Sequence, residues 1–142
     1  MSSSGLNEKI NKLYAEINML SAIAESLQRH YDALSRMVLD VQLTLNTLKE
    51  IREVGKGHKV LIPLGSTVLI NVLIEDNQNA FLKVGSGIIV RKPIPDVEEY
   101  LESYLLKLQR EQLETQKRLE SVVSNISNLQ VELNKLLQKA GR

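Results

Sequence analysis

Apolar residues recur along the first third of the chain at Ile10, Leu13, Ile17, Leu20, Ala24, Leu27, Tyr31, Leu34, Val38, Val41, Leu45 and Leu48. The spacing alternates three and four without a slip. The last third repeats the alternation at Leu101, Leu105, Leu108, Gln112, Thr115, Leu119, Val122, Ile126, Leu129, Leu133, Leu136 and Ala140. A sustained 3.5-residue repeat keeps one seam turned toward a partner helix, so each array predicts a long coiled-coil helix. Between Gly55 and Pro95 the period changes. Val60–Ile62, Val68–Ile74, Ala80–Val84 and Ile88–Val90 are short runs rich in β-branched residues and bounded by turn formers, which predicts four strands in two hairpins.

The first helix is expected over residues 6–54, with Asn7 as N-cap, Glu8 in its first turn, and Gly55 and Gly57 as its stop. The second is expected over 96–140, with Asp96 as N-cap and Glu98 and Glu99 set favourably against the helix dipole. Each is about 45 residues, on the order of 65–70 Å at ~1.5 Å per residue. Matched lengths and a short insert over 55–95 favour pairing within the chain. Leu48 would lie near Leu101, and Ile10 near Leu136 and Leu137. The fold class is predominantly α: one domain over 1–142, an antiparallel coiled coil joined by two β-hairpins.

The insert also argues for partners. Val68, Ile70, Val72 and Ile74 line one strand face and Leu69 and Leu73 the other, and a lone hairpin cannot bury both. Exposed apolar edges recruit further strands. The hairpin residues expected to assemble with other subunits into a shared sheet or barrel are Val60, Ile62, Val68, Ile70, Val72, Ile74, Leu82, Val84, Ile88 and Val90. Pro63 cannot donate to a ladder, so its strand is an edge or ends there. Glu75–Asn79, Gly65-Ser66 and Gly85-Ser86-Gly87 read as the turns.

Composition narrows the function. Aromatics are 4%, with one Phe and no Trp, which suits a thin seam and not a body that encloses a substrate. A net charge of +1 gives no field for a polyanion, so no nucleic acid is expected. Without cysteine there is no disulfide, thiolate site or Cys nucleophile. Neither a secretory leader nor an apolar run of ~18 residues is visible, so no membrane association and a cytoplasmic location are the expectation. His30 and His58 have no ligand spacing between them. "GKGHK" lacks the pattern of a phosphate loop, and "VGSGII" leads into a strand where a dinucleotide motif leads into a helix. Lys49, Arg52, Lys56, His58 and Lys59 form a modest basic patch that reads as a solvated face. No enzyme activity, metal or cofactor is expected.

The insert "VLIPLGSTVLINVLIEDNQNAFLKVGSGIIVRKPIPDVEEYLE" resembles the prefoldin family of molecular chaperones. Pro63, Gly65, Val84, Gly85, Gly87, Val90 and Lys92 stand where that family's pattern wants them. Two hairpins between the helices point to its α class, of archaeal type. Arg91, where the family often has Glu, and Ile88-Ile89, where aromatics are frequent, depart from the pattern within the strand used for assembly. The resemblance implies an ATP-independent holdase. It implies a hexamer of two α and four β subunits, and therefore a second α subunit and β subunits as partners. Non-native protein clients would be held at the distal coiled-coil tips and passed to a group II chaperonin.

Holding an unfolded chain requires apolar surface that is not buried in the holder's own fold. Outside the seam, Met19, Ile23, Val123, Val131 and Leu137 are apolar strays in the half remote from the insert. Fraying ends would add Leu6, Ile10, Leu13, Leu133, Leu136 and Ala140. Met37, Leu39, Leu43, Leu106 and Leu113 are strays nearer the insert. Gln112 and Thr115 interrupt the second seam, either weakening it or fixing its register. The alternative is a structural spacer or filament-forming subunit whose hairpins polymerise and whose helices only set distance.

Overall fold

The computed structural model describes residues 3–141. Its elements are helix α1 (Ser3–Val54), strands β1 (Lys59–Pro63), β2 (Leu69–Leu73), β3 (Asn79–Gly85) and β4 (Ile88–Pro93), and helix α2 (Ile94–Lys139). Two long helices pack together and two antiparallel hairpins join them, β1 with β2 and β3 with β4.

Both helices start earlier than the sequence signals place them. α1 takes in Ser3 to Gly5, so Asn7 stands inside the helix and not at its cap, and no acidic residue lies in the first turn. Gly5 costs about 1 kcal/mol relative to Ala in a helix. Leu6 packs against the seam residues that follow it, and this contact carries the helix past that cost. α2 starts at Ile94, which puts Pro95 and Asp96 in the first turn and removes Asp96 from the cap. Proline is tolerated there because the first N–H groups of a helix have no partner within it. Ile94 itself donates its N–H to the Gln78 carbonyl at 2.8 Å.

The chain forms two compact units. The first comprises Met1–Arg36 and Gln109–Arg142. Here Ile10, Leu13, Ile17 and Leu133 form a buried cluster, with Leu6, Ile126, Leu129, Leu136, Leu137 and Ala140 packed against it. Ser35 meets Gln112 farther along. Partners on α2 fall in number as residues on α1 rise, so the helices run antiparallel. Leu20, Ala24, Leu27 and Tyr31 continue the seam but are only half-buried.

The second unit is Met37–Leu108. Its buried residues are Val38, Val41 and Leu45 on α1 with Ile94, Val97, Glu98 and Leu108 on α2. α1 stops at Gly55, whose φ of 86° is the left-handed conformation a helix terminator adopts at little cost. The β3–β4 turn places Ser86 at φ 53° and Gly87 at φ 76°, the pair of left-handed residues that fits the twist of a tight hairpin.

Candidate interaction surfaces

The hairpins have two unequal faces. Register pairs Val60 with Val72 and Ile62 with Ile70 on one face of β1–β2, and successive side chains alternate sides. Leu61, Leu69 and Leu73 therefore share the other face with Asn71, and all three leucines are largely exposed. In β3–β4, Ala80, Leu82, Val90 and Lys92 share one face, and Phe81, Lys83, Ile89 and Arg91 the other. Phe81 is the most exposed large apolar residue described, at 74%.

Of the residues expected to assemble, Val60, Val72, Ile74, Leu82 and Val90 are half-buried, and Ile62, Val68, Ile70, Val84 and Ile88 are exposed. Leu61, Leu64, Leu69, Leu73, Phe81 and Ile89 are equally available and were not among those expected. For all but Leu64, which follows β1 directly, the signal is the other phase of the same alternation.

Turn chemistry joins the two hairpins. The Asp76 carboxylate accepts the N–H groups of Gln78 at 2.8 Å and Asn79 at 3.2 Å, the Asn79 side-chain amide, and the Arg91 guanidinium at 2.8 Å. The Gln78 bond above all, then Arg91 and Asn79, holds its pKa well below the ordinary carboxylate range. Arg91 thus has a partner within the chain at the position where the motif departs from its pattern. Asn77 donates to the Arg52 carbonyl at 3.3 Å. The Arg52 guanidinium lies 3.1 Å from Glu98 Oε1. That oxygen is buried and the approach lacks hydrogen-bond geometry, so it is paired by charge alone. Arg52 accordingly leaves the solvated basic patch.

On the coiled coil the client-contact set divides. Met19 (64%), Ile23 (41%), Val123 (51%) and Val131 (53%) are exposed. Ile10, Leu13 and Leu133 are sealed in the seam, and Leu6, Leu136 and Leu137 are half-buried against them. These six reach a client only where the helix ends open. Nearer the hairpins, Met37, Leu39, Leu43, Leu106 and Leu113 are exposed. Gln112 donates to Ser35 Oγ at 3.0 Å, and Ser35 in turn donates to the Tyr31 carbonyl, while Thr115 is buried. Gln112 is therefore satisfied across the seam, by a bond that ties it to one position on the facing helix.

Among the described residues no three His, Asp or Glu side chains are grouped to hold a metal ion. His30 lies 3.2 Å from Glu111 on the facing helix. No helix among the described residues is long and apolar enough to cross a membrane.

A family model described as prefoldin subunit matches residues 20–139. The chain is 24% identical over 132 residues to prefoldin subunit alpha of Archaeoglobus fulgidus, covering 93% of this chain and 96% of that one. It is 26% identical over 134 residues to prefoldin subunit alpha of Pyrococcus horikoshii, covering 94% and 90%. Among solved structures, a chain of a filamentous PFD from Methanocaldococcus jannaschii, determined by cryo-EM, matches with a TM-score of 0.65. That match has 24% identity and covers 89% of this chain and 98% of the other.

Proposed function

This chain belongs to the prefoldin family, and from that premise we propose that it is an α-class subunit of an ATP-independent holdase. In this reading it captures non-native proteins on its coiled coil and transfers them to a group II chaperonin. It assembles through its hairpins with β subunits and a second α subunit, as an α2β4 hexamer in the cytoplasm, and has no catalytic role.

The observation that carries this reading is the exposure of Met19, Ile23, Val123 and Val131 on a coiled coil whose seam is already filled. Exposed apolar side chains on both hairpins support assembly in the same way. Lone hairpins are marginal and open edges seek strands.

The test is aggregation of a chemically denatured enzyme, followed by light scattering, with this chain and a β-class subunit present and ATP absent. Suppression is expected, and its loss when Met19, Ile23, Val123 and Val131 are all changed to Ser. Native mass spectrometry of the mixture is expected to give a closed hexamer. Open arrays of this chain alone, with no suppression, would support the spacer or filament reading instead.

A further inference from the structure

The coiled coil of the first unit has two flanks, and they differ in kind. Taking Ile10 and Leu133 as heptad position a, and Leu13 and Leu136 as d, the seam is bordered by e positions on one side and g positions on the other. The contact of His30 with Glu111 joins two g positions across the helices. It therefore fixes g beside g on one flank and e beside e on the other.

The g flank is charge-laced in the ordinary manner of a coiled coil. α1 contributes Lys9, Glu16 and His30, and α2 contributes Glu111, Arg118 and Glu132. The e flank carries no charge at all. On α1 its positions are Asn7, Tyr14, Ser21, Gln28 and Ser35. On α2 they are Gln109, Gln116, Val123, Gln130 and Leu137. In a chain with 25% charged residues, this is the side where fixed charges would normally set partner choice.

Resting on the holdase reading above, we infer that this e flank is the track along which an extended, non-native polypeptide is held by its backbone. A carboxamide offers both an N–H donor and a carbonyl acceptor, the same pair each peptide unit presents. The side-chain amides of Gln28 and Gln116 are oriented by Asp32 at 3.0 Å and Glu120 at 3.4 Å, one turn along their helices. Their oxygens are offered to peptide N–H groups. Tyr14 (46% exposed) and Val123 (51%) supply apolar contact between the amides. Asp32 and Glu120 border the flank at these two bonds, but its own positions carry no charge, so along most of its length it makes no demand on the sign of the client's side chains, which suits sequence-tolerant capture. The alternative occupant, a second coiled coil, is set by matched e and g charges, and this flank has none to offer.

The span is informative. Asn7 to Ser35 covers about 42 Å of helix at ~1.5 Å per residue. An extended chain rises ~3.3 Å per residue, so the flank holds a segment of about 13 residues. Met19, Ile23 and Val131 lie off this flank, on the c, g and f positions. Backbone capture thus falls on one side of the arm.

The test uses the full chain assembled with a β-class subunit and, as probe, fluorescent reduced and carboxymethylated α-lactalbumin, which stays unfolded in buffer. Gln116→Lys with Val123→Lys on the e flank is expected to weaken probe binding at least about tenfold. Glu16→Lys with Asn125→Lys on the g flank, neither of them among the client-contact residues, is expected to change it by less than about twofold. Circular dichroism verifies that both variants keep their helix content. If the e-flank pair misfolds, a photo-crosslinker placed singly at Gln116 or at Arg118 decides. Capture of the probe from 116 and not from 118 supports the track; equal capture, or capture of a neighbouring subunit from 116, overturns it. If the unaltered complex binds the probe and both lysine pairs weaken it equally, the flank inference fails and the holdase reading stands. If the unaltered complex binds no probe, the holdase reading itself fails.

Discussion

Ile10 gives the sharpest measure of what closes the coiled coil near the start of α1. Its side chain is 1% exposed, within a cluster that takes in Leu13, Ile17 and Leu133. Ile10→Ala removes three carbons, worth roughly 2.4 kcal/mol at ~0.8 kcal/mol per buried methylene. Incomplete collapse of the cavity raises the cost to about 3 kcal/mol, inside the ~2–5 kcal/mol typical of such truncations. Because the cluster lies within about four turns of the start of α1 at ~3.6 residues per turn, the loss falls on local opening more than on global unfolding. Each 1.4 kcal/mol is about tenfold in an equilibrium constant, so amide protection at Leu13, Ile17 and Leu133 should fall about 100-fold. Hydrogen exchange followed by NMR or mass spectrometry reads this directly. Met19→Ala, at a side chain 64% exposed, is the control and should leave the same amides within about twofold. Protection in Ile10→Ala that stays within threefold of the parent would falsify the view that this cluster closes the coil.

Other expectations follow from particular contacts. Gln112→Leu should raise the thermal midpoint, by about 1 kcal/mol of added burial, while adding alternative registers visible as extra species in disulfide-trapping between the helices. Arg52→Ala leaves the largely buried Glu98 carboxylate without its counter-charge and should destabilise the second unit by about 2–3 kcal/mol in urea titration. Restoring neutrality with Glu98→Gln in that background should recover most of the loss. The Asp76 pKa is depressed on folding, so its stabilising effect is present above its unfolded value of about 3.9 and declines as pH falls through the folded one. Acid titration of the turn amides of Gln78 and Asn79 should show loosening only below about pH 4, and Asp76→Asn should abolish that step. Gly87→Ala forces a φ of 76° on a residue with a Cβ and should cost about 1 kcal/mol, read as lost protection in β3–β4.

The helical pair was legible because a 3.5-residue repeat over twelve positions demands a partner helix, and two arrays of matched length joined by a short insert favour finding it within the chain. The hairpins were legible from β-branched runs and from glycines that need left-handed backbone. Helix starts were not, because Leu6 and Ile94 extend their helices by tertiary contact, which outweighs the local capping preference of Asn7 and Asp96. The Arg52–Glu98 pair was also hidden, since it joins residues far apart in sequence at a polar position within the coil. Among the apolar candidates, sequence separated seam from surface well at Met19 and Val131. It could not tell that Leu136 and Leu137, adjacent in sequence, would both be half-buried.

The two joints between helix and sheet differ in a way that bears on mechanics. β4 ends at Pro93 and α2 begins at Ile94 with no residue between, and the Ile94 N–H is fastened to Gln78. α1 instead reaches β1 through Gly55-Lys56-Gly57-His58, with both glycines at left-handed φ. The α1 link is nonetheless pinned, since Gly57 donates its N–H to the Ile74 carbonyl at 2.7 Å and Ile74 donates its N–H to the His58 carbonyl at 2.9 Å. A pull on α2 therefore bears on β4 through the chain and on the segment before β3 through Gln78, whereas a pull on α1 bears on β1 through the chain and on the end of β2 through Ile74.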